Sequence, residues 1–105
     1  MARKAKHRAG PGDADDVASF LGRYEELGHL RVRHRADLVT IESGPADDPI
    51  PHARLRRVTV NLWRLEMATH TGRWQPTPVR ALLDEVLETL VEVFPWTLAP
   101  IDENP

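Results

Sequence analysis

The N-terminal part of the chain shows apolar residues at helical spacing. Apolar side chains recur every three or four residues between positions 17 and 27, which is the period of an amphipathic helix. Asp13 precedes this run and is a suitable N-cap, while Gly28 follows it and is a common helix terminator. The pattern therefore predicts a first helix over residues 14–27. Its apolar stripe consists of Val17, Phe20, Leu21, Tyr24 and Leu27.

After this helix the period changes from helical to alternating. Apolar residues alternate with arginines over residues 29–35, which indicates a half-buried strand. Residues 38–41 are rich in β-branched side chains and favour a strand as well. Residues 29–43 therefore form either a hairpin with a tight turn or one long bent strand. The glycine, prolines and aspartates of residues 43–51 predict a loop.

A second extended region covers residues 53–70. This length exceeds that of an ordinary strand, so we expect two strands that separate near residues 59–61. In the second of these strands, Trp63, Leu65 and Met67 share one face, and the residues between them share the other. A turn follows, and the chain continues only as a short extended stretch.

The clearest helical pattern lies in the C-terminal third of the chain. Thr77 is a suitable N-cap, and Pro78 suits the first helical position, where its missing N–H costs nothing. Apolar residues then recur at intervals of three and four until Pro95. We therefore predict a second helix that begins at Pro78 and ends before Pro95. Its stripe consists of Val79, Leu82, Leu83, Val86, Leu87, Leu90, Val91 and Phe94, and Asp84, Glu85, Glu88 and Glu92 occupy its opposite face.

These elements predict an α+β fold in the order α-β-β-β-β-α. Short turns favour a four-stranded antiparallel sheet, and two helices with one apolar stripe each are most simply packed on one face of it. The single domain is expected to span residues 13–101. Residues 1–12 hold four cations and no acid, which predicts a disordered basic arm. Residues 102–105 are expected to form a flexible acidic tail.

Composition and charge remove several classes of protein. The chain has 105 residues, with 14 Lys+Arg against 16 Asp+Glu and no cysteine. Disulfides, thiolate catalysis, iron–sulfur clusters and cysteine-based zinc sites are therefore excluded. No apolar run approaches the roughly 20 residues of a transmembrane helix, and no secretory signal is evident. We expect a cytoplasmic protein without membrane association, and the preference for arginine over lysine is typical of a GC-rich bacterial genome.

No residue pattern points to catalysis or to a cofactor. The chain contains no G-x-S-x-G, P-loop or G-x-G-x-x-G motif. The five histidines are scattered, and their spacing does not suit a metal site. A cross-strand ion pair with Arg54 or Arg56 is the expected role of Glu66, which has no nearby nucleophile that would make it a general base. We therefore favour a non-enzymatic protein with no metal and no cofactor.

The strongest candidate for function is a set of arginines on the predicted strands. They alternate with residues of buried pattern, so we expect them on the sheet face that the helices leave open. Such a face suits an acidic partner or phosphate groups, and the leading hypothesis is a small binding or interaction module. The last strand ends near Trp74 at a sheet edge, which also suggests a homodimer. The predicted binding residues are Arg31, Arg33, Arg54, Arg56 and Arg64.

Two further hypotheses use basic residues in other ways. A nucleic-acid-associated protein would use the same arginines together with the basic arm, although a pI of 6.2 is low for such a protein. A small-anion or enzymatic site would form where the turn leads into the second helix, because free N–H groups at a helix N-terminus attract anions. The residues of that predicted site are His70, Arg73, Thr77 and Arg80.

Overall fold

A computed structural model describes residues 7–69 and 71–99. Within these residues, five strands pair in sequence order, and every neighbouring pair is antiparallel. The helices are α1 (Pro11–Leu21) and α2 (Leu83–Val93), and short 3₁₀ helices cover Glu25–Leu27 and Pro95–Leu98. The strands are β1 (Arg31–Arg35), β2 (Leu38–Ser43), β3 (Ile50–Arg57), β4 (Trp63–Ala68) and β5 (Trp74–Ala81).

The predicted α+β class and the antiparallel sheet are confirmed, but the described part of the chain forms five strands rather than four. The additional strand is β5, where the sequence predicted only a short extended stretch. Proline cannot donate to a strand ladder, so it is confined to edge strands and bulges. Pro76 and Pro78 lie in such a place, because β5 is an edge strand and its register with β4 shifts between Arg64 and Glu66. Pro78, which was predicted to begin the second helix, therefore lies within a strand together with Pro76.

The first helix begins and ends earlier than predicted. The range 14–27 with Asp13 as N-cap is wrong, because the N-cap is Gly10 and Asp13 lies in the first turn. The Asp13 carboxylate accepts a hydrogen bond from the Gly10 amide at 2.8 Å, which satisfies one of the free amides at the helix start. Pro11 takes the first helical position. The rest of the predicted stripe continues through the first 3₁₀ helix, where Leu27 is buried.

The predicted basic arm falls partly outside the described residues. Residues 1–6 lie outside them, and so does the predicted tail at 102–105. Ala9 is buried, and its amide donates to the carbonyl oxygen of Ala36 at 2.7 Å. Pro11 belongs to α1, so helical structure begins before the predicted domain boundary at residue 13. The chain therefore enters the fold beside the turn between β1 and β2.

The second helix begins at Leu83 rather than Pro78. The residues before it pair with β4, where their backbone groups find partners that a free helix terminus lacks. Thr77 is therefore not an N-cap, and its hydroxyl donates to the Leu65 carbonyl oxygen at 2.9 Å. The predicted end before Pro95 agrees with the structure. Among the described residues, neither this helix nor any other has the length and apolar character that crossing a membrane requires.

One hydrophobic cluster holds side chains from both helices and from β2, β3 and β4. On the sheet, Val39 pairs with Leu55 and Leu55 pairs with Leu65, and all three side chains are fully buried. Burial of apolar surface contributes about 25 cal/mol per Å², so this cluster is the main source of stability. We call this side of the sheet the core face. The helices contribute Val17, Phe20, Leu21, Val86, Leu87 and Leu90 to the cluster.

Strands β1 and β2 form a hairpin, which resolves the two alternatives for residues 29–43. Arg35 pairs with Leu38 across a two-residue turn, and Ala36 in that turn has a φ of 54°. This left-handed conformation costs about 1–2 kcal/mol for a residue with a side chain. The turn sets the register of β1, and its alternate arginines therefore all lie on the side opposite the core face.

Candidate functional site

The side of the sheet opposite the core face carries seven arginines, and we call it the arginine face. Successive side chains on a strand point to opposite sides, so the neighbours of core residues point here. The five arginines that the sequence singled out all lie on this face, and Arg35 and Arg80 join them. Among the described residues, three acids contact or flank them, which leaves an excess of four positive charges. The face consists of Arg31, Arg33, Arg35, Arg54, Arg56, Arg64 and Arg80, with Asp37, Glu42 and Glu66 as its acids.

Glu66 is the central carboxylate of the arginine face. It is 3% exposed and accepts hydrogen bonds from three guanidinium groups. Arg54 Nε lies 2.5 Å from Oε1, whereas Arg56 Nε and Arg64 Nη2 lie 3.0 and 2.7 Å from Oε2. Burial raises the pKa of this carboxyl, but the bonds from the three arginines outweigh it and lower the pKa to about 2. The expected cross-strand pairs are therefore present, and the carboxylate is ionised at neutral pH.

A second carboxylate, Glu42, holds the arginines of β1. It is buried, and it accepts hydrogen bonds from Arg33 Nε at 2.5 Å and from Arg31 Nε at 3.3 Å. Arg31 also donates its terminal nitrogens to the carbonyl oxygens of Gly44 and Pro45. Each of the three guanidinium nitrogens of Arg31 thus has an acceptor within the protein. The Arg33 side chain is 57% exposed, and within the described residues only its Nε atom has an acceptor.

Four arginines lie in one register row across the sheet, which we call the arginine row. The row begins on β1 with Arg35 and passes through Leu38 on β2. Arg56, Arg64 and Arg80 follow on β3, β4 and β5 as direct cross-strand neighbours. Adjacent strands are about 4.8 Å apart, so the row is about 19 Å long. Like charges directly opposite each other destabilise a sheet, and this row places three of them side by side.

The acids neutralise only part of the arginine row. Arg56 donates to Glu66 and, at 3.0 Å, to the aspartate of the β1–β2 turn. Arg64 reaches Glu66 only through Nη2, and its buried Nε atom has no acceptor among the described residues. Arg35 and Arg80 are exposed, and neither forms an ion pair within residues 7–69 and 71–99. Both ends of the row are therefore unneutralised by the described acids.

An aromatic residue, Trp74, lies on the arginine face beside these charges. It pairs with Ala68 on β4, which shares a face with Glu66. The guanidinium carbon of Arg54 lies 4.4 Å from the centre of a Trp74 ring, a cation–π contact. The indole is half-buried, so part of its surface is accessible. The face thus combines guanidinium groups with a flat aromatic surface.

The anion site predicted at the start of the second helix loses the helix N-terminus on which it depended. It depended on a helix N-terminus at Thr77, but this residue lies within β5, six positions before the helix begins at Leu83. Arg80 belongs to the arginine row, and Arg73 precedes β5. His70 lies outside the described residues. The pairing of β5 with β4 therefore removes the premise of this site.

A buried polar cluster around His52 was not apparent from the sequence. Ile41 pairs with Ala53 and Glu42 pairs with Pro51, so β3 has one extra residue at His52. Such a bulge re-aims a side chain, and the imidazole is buried here although it directly follows the predicted loop over residues 43–51. A bulge depends on the pairing of two strands, so no local signal in the sequence could have revealed it.

His52 joins the sheet to the C-terminal 3₁₀ helix. Its Nδ1 donates to the Thr97 carbonyl oxygen at 2.8 Å, which leaves Nε2 to accept from the Ser43 hydroxyl at 2.7 Å. His29 Nε2 donates to the Leu98 carbonyl oxygen at 2.8 Å, and the two imidazole centres are 5.9 Å apart. Burial lowers the pKa of His52; the bond to Thr97 opposes this effect, and the charge of His29 adds to it.

The Ser43–His52 pair has the atoms of a nucleophile and a base, but its environment is structural. Ser43 is 6% exposed and His52 is 2% exposed, so a substrate has no approach to the hydroxyl. The pair instead anchors the 3₁₀ helix to β2 and β3. The described residues also contain no group of three or more His, Asp or Glu side chains that could hold a metal ion.

Comparisons with protein-family models, with curated proteins and with solved structures give no match for this chain. The surface chemistry is therefore the basis on which a function can be proposed. The arginine face combines an excess of charge, guanidinium nitrogens that the described residues do not engage, and an accessible aromatic ring.

Proposed function

We propose that this chain is a small non-enzymatic binding module and that an anionic partner docks on the arginine face. The observation that carries the proposal is the arginine row, in which Arg35 and Arg80 pair with no acid of the described residues. A row of like charges costs folding free energy, and a bound polyanion offsets that cost. Guanidinium groups also match carboxylate and phosphate oxygens in geometry.

The acids beneath the face favour binding because they hold the arginines in place. Glu42 and Glu66 accept hydrogen bonds mainly from Nε atoms. The terminal nitrogens of Arg33 and Arg54 consequently have no acceptor within the described ranges. A side chain that is already ordered loses less conformational entropy when a partner binds, so this arrangement is preorganised for an anion.

The charges and edges of the sheet oppose pairing with a second copy of the chain. Two arginine faces brought together would each contribute an excess of four positive charges and repel. The sheet edge near Trp74, which suggested a homodimer, contains Pro76 and Pro78, and prolines discourage edge pairing. The opposite edge, β1, carries three arginines. These features support a partner of a different and acidic kind.

Retention of the full-length protein on heparin resin tests the proposal. We expect Arg80→Gln to elute at lower salt than the wild type, because it removes a charge from the arginine row without breaking an ion pair of the described residues. Arg23→Gln is the matched control: Arg23 is exposed, lies after α1 against the Phe20 ring, and is not on the sheet. Equal elution shifts for the two variants, or no retention of the wild type, would overturn the proposal.

A further inference from the structure

We infer that the anionic partner is a single-stranded nucleic acid, with its phosphates along the arginine row and a base on Trp74. This inference rests on the function proposed above and narrows it to one class of partner. An acidic protein segment is the competing occupant. Charge alone does not separate the two, because both carboxylates and phosphates suit guanidinium groups. The distinction rests on the aromatic surface and the shape of the sheet.

The aromatic surface lies where bases would reach it. Base–aromatic stacking stabilises complexes with single strands whatever the sequence, because every base has a π-face. The guanidinium of Arg54 lies over a Trp74 ring at 4.4 Å from its centre, so a base can stack on the part of the indole that Arg54 leaves uncovered or on the guanidinium plane itself. Arg54 lies two residues from Arg56 on β3, about 7 Å along the strand from the arginine row. Trp74 pairs with Ala68, four residues from Arg64, so its backbone lies about 14 Å along β4 from the row, and its ring reaches back to Arg54. A base whose phosphate lies on the row can therefore extend to Arg54 and to the Trp74 ring beside it.

The shape of the face favours a single strand over a duplex. The major groove of a duplex admits a helix or a two-stranded ribbon, and a five-stranded sheet is too wide to enter it. A single strand can lie across the strands along the row, which is about 19 Å long. It also presents unpaired bases, which stacking on Trp74 requires.

The N-terminal residues enter the fold at the end of the sheet where the arginine row begins. The Ala9 amide donates to the carbonyl oxygen of Ala36, and Ala36 directly follows Arg35, the first member of the row. The described N-terminal residues therefore lie beside the end of the row at which Arg35 is exposed.

The acidic pI does not oppose this inference, because the opposite charges lie on different surfaces. The acidic residues of α2 are exposed, whereas its apolar stripe belongs to the cluster on the core face. A helix with its side chains is about 10 Å across, so the exposed side of α2 is at least this far from the sheet. The Debye length is about 8 Å at physiological ionic strength, so the acids of α2 are largely screened from a nucleic acid bound to the arginine face. Net charge is thus a poor guide to this surface.

Fluorescence anisotropy with the full-length protein tests the inference. The probes are a labelled oligothymidine of about 12 nucleotides, a duplex of the same length and a polyglutamate peptide of the same charge. We expect the oligothymidine to bind most tightly, with an affinity that falls steeply between about 50 and 200 mM salt.

Arg35→Gln and Arg80→Gln should each lower the salt slope by about 0.7, and Arg23→Gln should not. Trp74→Leu should weaken binding about fivefold or more at an unchanged slope, whereas Trp74→Phe, which keeps a ring, should retain most of the affinity.

The outcomes separate this inference from the function on which it rests. Equal or tighter binding of polyglutamate, with no effect of Trp74→Leu, would overturn the nucleic-acid partner and leave the anionic docking surface intact. Tighter binding of the duplex would overturn the single-stranded choice. Failure of all three probes to bind would overturn the inference and the proposed function together.

Discussion

Leu65 and Glu66 are neighbours on β4, both are buried, and they point to opposite faces of one sheet. Leu65 lies in the hydrophobic cluster, where contact with other apolar side chains stabilises it at any pH or salt concentration. Glu66 is held by three charged hydrogen bonds, which require that the carboxyl be ionised. The two faces of β4 are therefore stabilised differently, one by hydrophobic contact and the other by charged hydrogen bonds.

This difference separates the residues that maintain the fold from those available for binding. The core face is closed, so every large change there acts on stability. On the arginine face, each buried acid accepts hydrogen bonds from two or three arginines but carries only one negative charge, so positive charge remains in excess. Loss of an acid should therefore weaken the fold, while loss of an unpaired arginine should weaken only the proposed binding. Four predictions test this division, and they follow in descending order of the change in stability that we expect.

Leu65→Ala should have the largest effect. It removes a fully buried side chain from the centre of the core face and should lower the free energy of unfolding by about 2–5 kcal/mol. Urea unfolding at low and high salt measures this loss, which should be the same in both conditions. Val60→Ala, at an exposed apolar residue, is the control and should change stability by less than about 0.5 kcal/mol. A comparably small loss for Leu65→Ala would contradict its place in the core.

Glu66→Gln should destabilise the protein by about 1–3 kcal/mol, because three arginines lose their common carboxylate. Added salt should reduce this cost, since it screens the repulsion between the arginines.

The pKa of the Glu66 carboxyl, about 2, lies below the usual 4.5, so the stabilisation that Glu66 provides is present above pH 4.5 and is lost as the pH falls towards 2. Urea midpoints of wild type and variant should converge in that window. Glu88→Gln on α2 is the control, and a cost independent of both salt and pH would refute the charged-bond explanation.

His52 should make the core face sensitive to pH, unlike the hydrophobic residues around it. Its pKa is lowered in the folded protein, so the unfolded chain binds the proton more readily, and stability should fall as the pH drops below about 6.5. His52→Gln should remove this dependence, whereas His34→Gln, at an exposed residue of β1, should retain it. Thermal unfolding between neutral pH and pH 5 measures the effect. Identical pH profiles for wild type and His52→Gln would disprove the assignment.

Arg80→Gln should have the smallest effect on stability, within about 0.5 kcal/mol of zero. Arg80 faces Arg64 across β4 and β5, so its removal relieves repulsion and should raise the melting temperature slightly at low salt. Arg56→Gln is the comparison, because Arg56 bonds two acids and its loss should cost about 1 kcal/mol or more. A loss for Arg80→Gln as large as that for Arg56→Gln would show that Arg80 is structural rather than available to a partner.

Periodicity in the sequence located most of the sheet and the candidate surface. Alternation in β1 and β4 placed the arginines opposite the apolar residues, and the cross-strand role of Glu66 followed from that alternation. The predictions failed where local signals have two meanings. Thr77 and Pro78 suit a helix start and an edge strand equally well, and pairing with β4 decided between them. The bulge at His52 had no local signal at all.

Which side chains share a face of each strand follows from the order of residues alone, because a period of two depends only on the backbone of that strand. Tertiary structure alone decided which residues stand side by side on different strands. The arginine row, the triple hydrogen bonding of Glu66 and the buried His52 all arise from register and from one extra residue in β3. Register is set when two strands exchange backbone hydrogen bonds, and that choice depends on the partner strand as much as on the strand itself.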